Sequence, residues 1–177
     1  MENICFERVG NDNSKKLQSF LNLWLPYMYE LGDDRSEDKI IGHAKKIIGI
    51  QENKQKENKI YNIELCMEKE NIVGFCFFCI VEIEFQKDTE YGLIIKPLVN
   101  YSDHGYIMEF YIKPEYRLKN YGKIMNCHIE KIYGKHDMKK IMLTPNKEAQ
   151  LFWEKLGYKN SGKIDPTNDL PIYFKDI

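Results

Sequence analysis

Residues 105–122, GYIMEFYIKPEYRLKNYG, constrain the fold more than any other stretch. Tyr106, Met108, Phe110 and Ile112 alternate with Ile107, Glu109 and Tyr111. Both sets are largely apolar, the pattern of a central strand covered on both faces. Pro114 has no N–H for a ladder, so the strand should end near Lys113. A helix should then begin close to Asn120, with Tyr121, Ile124, Met125, His128, Ile129 and Ile132 along one face. A strand that turns through a short loop into a helix start presents unpaired backbone N–H groups and the positive end of the helix dipole. The segment is therefore an anion site by construction.

The rest of the chain supplies elements to pack around that strand. Residues 4–9 predict a short strand, and Ser14 can cap a helix bearing Leu17, Phe20, Leu21, Trp24, Leu25, Met28 and Leu31. Pro26 falls inside this pattern and should kink or split it, and Gly32 should end it. Ser36 can cap a second helix with Ile40, Ala44, Ile47 and Ile48 on its buried side, followed by a solvated connector over residues 51–59. Alternation at Tyr61, Ile63, Leu65 and Met67, a turn at 68–71 and an apolar run at 72–85 predict a hairpin. Residues 86–104 are long for a loop in a compact domain yet hold an apolar patch, which suggests a lid over a binding cleft. A short strand at 139–143 follows the second half, then a helix capped by Asn146 with Ala149, Phe152, Trp153 and Leu156, closed by Gly157. Residues 158–164 and 172–175 are the last two strand candidates.

The run Tyr111-Ile-Lys-Pro-Glu-Tyr-Arg117-Leu-Lys-Asn-Tyr-Gly122 resembles motif A of the GNAT superfamily, the acetyl-CoA-dependent N-acetyltransferases. That motif is a strand, then Pro-Glu-Tyr, then Arg/Gln-x-x-Gly-x-Gly/Ala. Downstream, Asn146-Lys-Glu-Ala149-Gln-Leu-Phe152-Trp-Glu-Lys-Leu-Gly157-Tyr158 resembles the second motif of the family, Asn-x-x-Ala-x-x-Phe-Tyr-x-x-x-Gly-Phe. Two positions depart from the pattern. Asn120 occupies the middle glycine position, and Trp153 stands where the family usually has tyrosine.

The resemblance implies an α/β (mixed α+β) fold, a mostly antiparallel mixed sheet with helices on both faces, in one domain over residues 1–177. It implies acetyl-CoA as cosubstrate and an amine acceptor, either a small molecule or a peptide. Backbone groups of Phe110, Tyr111 and Ile112 would pair with the pantetheine arm. The loop and helix start formed by Arg117, Leu118, Lys119, Asn120, Tyr121, Gly122 and Lys123 would cradle the pyrophosphate. Asn146, Phe152 and Trp153 of the second motif complete the cofactor-binding set. Asparagine is the best stand-in for glycine at position 120, because it visits the left-handed region more readily than other residues.

Acetyl transfer to an amine needs a base for the ammonium proton and a proton for the leaving thiolate. Glu109 is the carboxylate within the central strand, and between Met108 and Phe110 its pKa should rise if it is buried. The family places its base at various points along this strand, so His104 and Tyr106 stay candidates beside Glu109. Trp153 offers only an N–H that does not titrate, which leaves the usual tyrosine acid unfilled. A noncatalytic CoA-binding module is the rival reading, favoured by Asn120 and Trp153, and a ligand-free interaction domain is the third.

Composition excludes other classes. A net charge of −1 carries no electrostatic footprint for nucleic acid. No apolar run approaches the length of a membrane span, and the first residues carry no signal-peptide pattern. Five scattered cysteines argue against a secreted disulfide framework and for a cytoplasmic protein; a monomer or homodimer is expected. Cys76 and Cys79 match C-x-x-C, but in a strand their side chains point to opposite faces, so buried thiols are expected rather than a zinc or redox pair, and no metal site is expected.

Overall fold

The computed structural model describes residues 4–57, 59–80, 104–165 and 168–177. Its elements, in chain order, are β1 (Ile4–Arg8), α1 (Ser14–Glu30), α2 (Glu37–Lys56), β2 (Tyr61–Glu68), β3 (Asn71–Ile80), β4 (His104–Ile112), α3 (Tyr121–Lys135), β5 (Lys140–Leu143), α4 (Gln150–Lys155), β6 (Lys159–Ile164) and β7 (Pro171–Asp176). Among the described residues this is a mixed α/β fold of four helices and a seven-stranded sheet in the order β1-β2-β3-β4-β5-β7-β6. The pairs β1–β2, β5–β7 and β6–β7 are antiparallel, and β4–β5 is parallel. The chain divides into two compact units, Met1–Phe78 with Glu109–Met125, and Cys79–Met108 with Asn126–Ile177.

In the first unit α1 is capped by Asn13, whose Oδ1 accepts the Lys16 N–H at 3.1 Å, one position earlier than the expected Ser14. The helix runs unbroken through Pro26. Proline deprives the Asn22 carbonyl of its donor, but Asn22 and Pro26 are both exposed, so water can serve that carbonyl. The opposite stripe is aromatic. Phe20, Trp24 and Tyr27 are buried, and their rings meet Phe75 of β3 at centroid distances of 5.2, 5.8 and 5.3 Å.

Helix α2 continues to Lys56, where a connector was expected from residue 51. The reason is Gln51, which is 1% exposed. Its Nε2 donates to the Val9 carbonyl at 2.5 Å and its Oε1 accepts the Ile63 N–H at 2.5 Å, so the helix end is tied to backbone beside β1 and within β2. Ser36 holds the N-cap position of this helix without a capping hydrogen bond from its side chain.

Strands β3 and β4 approach closely at Gly74. A methyl group there would lie 2.1 Å from the Tyr111 carbonyl oxygen, so only glycine fits. The Lys113 N–H donates to the Val73 carbonyl at 2.9 Å, and Pro114 opens a single 3₁₀ turn, Pro114–Tyr116, which ends the strand where expected.

In the second unit β5 pairs with the start of β4 in the register His104↔Lys140 to Tyr106↔Met142, so Phe110, Tyr111 and Ile112 lie beyond the paired stretch. Gly105 faces the Tyr133 ring, and a methyl group there would sit 2.4 Å from it. The Tyr133 hydroxyl is held by the carbonyls of Cys79 at 2.7 Å and Tyr106 at 3.0 Å. Strand β7 lies between β5 and β6, and the β6–β7 register shifts between Asn160 and Ile164, with Gly162 at φ +75°. The helix expected from Asn146 is a 3₁₀ turn, Lys147–Ala149, followed by the short α4.

Of the expected lid at 86–104, His104 instead opens β4, and residues 86–103, with the end of the hairpin at 81–85, lie outside the described residues. Cys76 and Cys79 are both buried, and neither forms a disulfide among the described residues. Among the described residues no helix is long and apolar enough to cross a membrane, and no group of His, Cys, Asp and Glu could hold a metal ion.

Candidate active site

Glu109, the candidate base, belongs to the first unit. Its place on β4 leaves it half-buried, and desolvation pushes its carboxyl up from an ordinary 4.5 to about 7. The hydroxyl of Tyr27 donates to its Oε2, which opposes part of that rise. Tyr27 is itself buried between Trp24, Phe75 and Tyr111, with ring centroids 5.8, 5.3 and 5.2 Å away. Burial and the carboxylates of Glu109 and Glu30 drive its pKa far above that of a free phenol, so it stays protonated. Tyr27 escapes a reading of the apolar stripe because it looks like one more core ring. The signal was its hydroxyl, since a buried tyrosine must find a partner for that group.

Arg117 was expected to meet phosphates. In the folded chain its side chain is engaged with protein. Nε donates to the Ile112 carbonyl at 2.9 Å, one terminal nitrogen donates to both Glu30 oxygens at 2.6 and 2.7 Å, and the guanidinium lies 5.6 Å from the Tyr111 ring centroid. Arg117 thus ties the end of β4 to the last turn of α1. Two residues of the following loop have left-handed backbones, Leu118 at φ +61° and Asn120 at φ +69°. Asn120 therefore adopts the glycine-like conformation expected of it. Leu118 is fully exposed, so no packing explains its conformation.

The Asn120 carbonyl accepts the Ile124 N–H at 3.1 Å and so begins α3. The amides of Tyr121, Gly122 and Lys123 then have no acceptor within the helix. Tyr121 is buried, and its hydroxyl donates to Glu68 at 2.7 Å, which raises its pKa to about 12. Lys123 is exposed, and the Lys119 ammonium lies 5.7 Å from the Tyr116 ring centroid. The loop thus combines left-handed turns, open amides at a helix start and nearby cations, which suits a pyrophosphate.

The remaining candidates belong to the second unit. His104 is buried with its ring 5.6 Å from that of Phe174. Tyr106 is half-buried, its hydroxyl 3.5 Å from the Thr144 hydroxyl. Asn146 is exposed and caps its turn by accepting the Ala149 N–H at 3.0 Å. Trp153 is buried between Phe152 at 5.0 Å and Tyr158 at 5.1 Å. The structure brings Glu109, Phe110, Tyr111, Ile112 and the loop together in one unit, and gathers His104, Tyr106, Asn146, Phe152 and Trp153 in the other.

The profile of the acetyltransferase (GNAT) family matches residues 17–158. No curated protein matches the sequence significantly. Among solved structures the chain is similar to the PaiA N-acetyltransferase of Thermoplasma acidophilum in complex with coenzyme A, with 16% identity, 99% of each chain covered and a TM-score of 0.67. It is also similar to a GNAT-family acetyltransferase of Staphylococcus aureus, with 14% identity, 98% of this chain and 99% of that one covered, and a TM-score of 0.66. An acetyltransferase of Streptococcus agalactiae matches over 100% of both chains, with 16% identity and a TM-score of 0.65. Identities this low speak for the fold, which these relatives share.

Proposed function

The chain belongs to the acetyltransferase (GNAT) family, and from that premise we propose that it is an N-acetyltransferase moving an acetyl group from acetyl-CoA to a primary amine by direct attack. The observation that carries this reading is Glu109, a carboxyl on β4 whose Oε2 accepts the hydroxyl of the buried Tyr27 and which desolvation pushes up to about 7. A base poised near neutrality is what the acceptor requires. An aliphatic ammonium with a pKa near 10 is only about 0.1% neutral at pH 7. Glu109 takes that proton, and the neutral amine attacks the thioester carbonyl. The departing thiolate, with a pKa of about 8.5, takes its proton from water or from the newly formed ammonium. No titrating acid is needed, which accommodates Trp153.

Acetyl-CoA is the substrate that the β4 backbone and the loop suit. The family resemblance sets the pantetheine arm along the β4 backbone at Phe110, Tyr111 and Ile112, past the residues that β5 pairs. Leu118, Asn120 and the first amides of α3 offer an anion cradle, with Lys119 and Lys123 as charge. Arg117, already engaged by Glu30 and Ile112, shapes the loop. The coenzyme A bound in the Thermoplasma relative supports this reading.

The test is acetyl-CoA titration followed by single-turnover CoA release against a panel of amines and peptides, in the native chain and in Glu109→Gln. The variant should bind acetyl-CoA normally and react about a hundredfold more slowly or worse. Binding without release for every acceptor would favour a noncatalytic CoA-binding module. An unchanged rate in Glu109→Gln would move the base to His104, Tyr106 or bound water.

A further inference from the structure

The last turn of α1 does more than close a core. Tyr27 and Glu30, three residues apart on its surface, both reach β4 or the turn after it: Tyr27 to Glu109, and Glu30 to Arg117. The Tyr27 ring is caged by Trp24, Phe75 and Tyr111 and is 7% exposed, so its hydroxyl has one direction to point. That hydroxyl occupies Oε2 of Glu109. We infer that Tyr27 is a positioning residue for the proton transfer: it holds Oε2 of Glu109 and leaves Oε1 as the oxygen that accepts the proton of the acceptor ammonium. The inference rests on the reading of Glu109 as the base.

The proton balance is simple. One proton moves from the ammonium nitrogen to Oε1, and Tyr27 keeps its own proton throughout, because burial and the neighbouring carboxylates oppose a phenolate. The groups that act on the pair are Glu30 of α1, felt by Tyr27, and, one step out, Glu30, Arg117 and Glu115, felt by Tyr111 whose ring packs on that of Tyr27. From β3 the facing side chain is the apolar ring of Phe75. A donor on one oxygen favours the carboxylate over the acid, so losing it must make Glu109 harder to ionise.

The experiment follows the Glu109 carboxyl by carbon-13 NMR in glutamate-labelled protein, assigned with Glu109→Gln, in the native chain and in Tyr27→Phe. The acidic limb of kcat/KM against pH is measured on the same proteins with the best acceptor of the panel. Tyr27→Phe keeps the ring and its packing and removes only the hydroxyl. Its Glu109 titration should move up by about one pH unit or more, with the acidic limb following and the rate recovering to near the native value at high pH. Site-specific 3-fluorotyrosine at position 27, a more acidic phenol and stronger donor, should move both the other way. That second variant keeps the test sharp if Tyr27→Phe misfolds. An unmoved titration in a folded variant overturns the inference. A rate lowered equally at every pH, with an unmoved limb, also overturns it by reducing Tyr27 to packing. A shifted NMR titration with an unshifted limb instead overturns Glu109 as the base, and the role of Tyr27 in proton transfer falls with it.

Discussion

Glu109→Gln should make the protein more stable above neutral pH while it abolishes most activity. A carboxyl that titrates at about 7 in the folded chain and near 4.5 when unfolded binds its proton more tightly in the fold. Its contribution to stability is therefore fully present below about pH 4.5 and is lost as pH rises through about 7. Over that window the loss amounts to roughly 3 kcal/mol. Glutamine never ionises, and its amide oxygen can still accept from Tyr27, so the variant escapes this loss. Near pH 4.5 the two proteins should be about equally stable. By pH 8.5 the variant should lead by about 2–3 kcal/mol, a gap of roughly 5–10 °C in melting temperature. Urea unfolding in steps between pH 4.5 and 9 isolates the effect, because every other titrating group is common to both proteins. A stability difference that does not change with pH would refute the assignment of a raised pKa to Glu109. A variant less stable at pH 8.5 than the native protein would refute it outright.

Three further outcomes follow from the geometry. Asn120 is already left-handed without ligand, so Asn120→Gly relieves roughly 1 kcal/mol of strain, offset by the greater freedom of an unfolded glycine. Stability and CoA affinity should each stay within about 0.5 kcal/mol by melting and calorimetry; a tenfold weaker affinity would show the side chain reaching the ligand. Arg117→Lys loses the two-oxygen pairing with Glu30 and the bond to the Ile112 carbonyl, and should cost about 1 kcal/mol. A double-mutant cycle with Glu30→Gln should show coupling that fades in high salt, and zero coupling at low salt would count against the pair. Gly105→Ala drives a methyl group into a ring held by two hydrogen bonds. It should cost about 1–3 kcal/mol in denaturant unfolding, with an effect under 0.5 kcal/mol meaning that the ring can yield.

What could be read from sequence was local. The element order, the end of β4 at Pro114 and the left-handed Asn120 all follow from alternation, proline chemistry and the glycine-like tolerance of asparagine within a few residues. What could not be read was made by distant partners. The partner of Arg117 could not be read because nothing near it announces Glu30, 87 residues away. The Tyr27 hydroxyl and Glu109 are 82 residues apart. The insertion of β7 between β5 and β6 reverses two consecutive strands, and no periodicity encodes which neighbour a strand will choose. The chemistry of the second unit's candidates was legible only as residue types, and the fold then gave Tyr106 and His104 distant partners, Thr144 and Phe174, and Asn146 a near one, the Ala149 amide.

Gln51 carries a consequence for how this chain can vary. It opens the stretch QENKQKENK, which looks interchangeable, the kind of surface an engineer recodes freely for solubility or charge. Yet position 51 must donate to one backbone carbonyl and accept from one backbone N–H at the same time. Glutamate would set a carboxylate against the Val9 carbonyl, lysine would leave the Ile63 amide without an acceptor, and asparagine falls one carbon short. Recoding should therefore spare position 51 first and then Glu52, which accepts the backbone and side-chain N–H groups of Asn11 at 2.9 Å, and a library spread across the stretch should return position 51 as the least diversified.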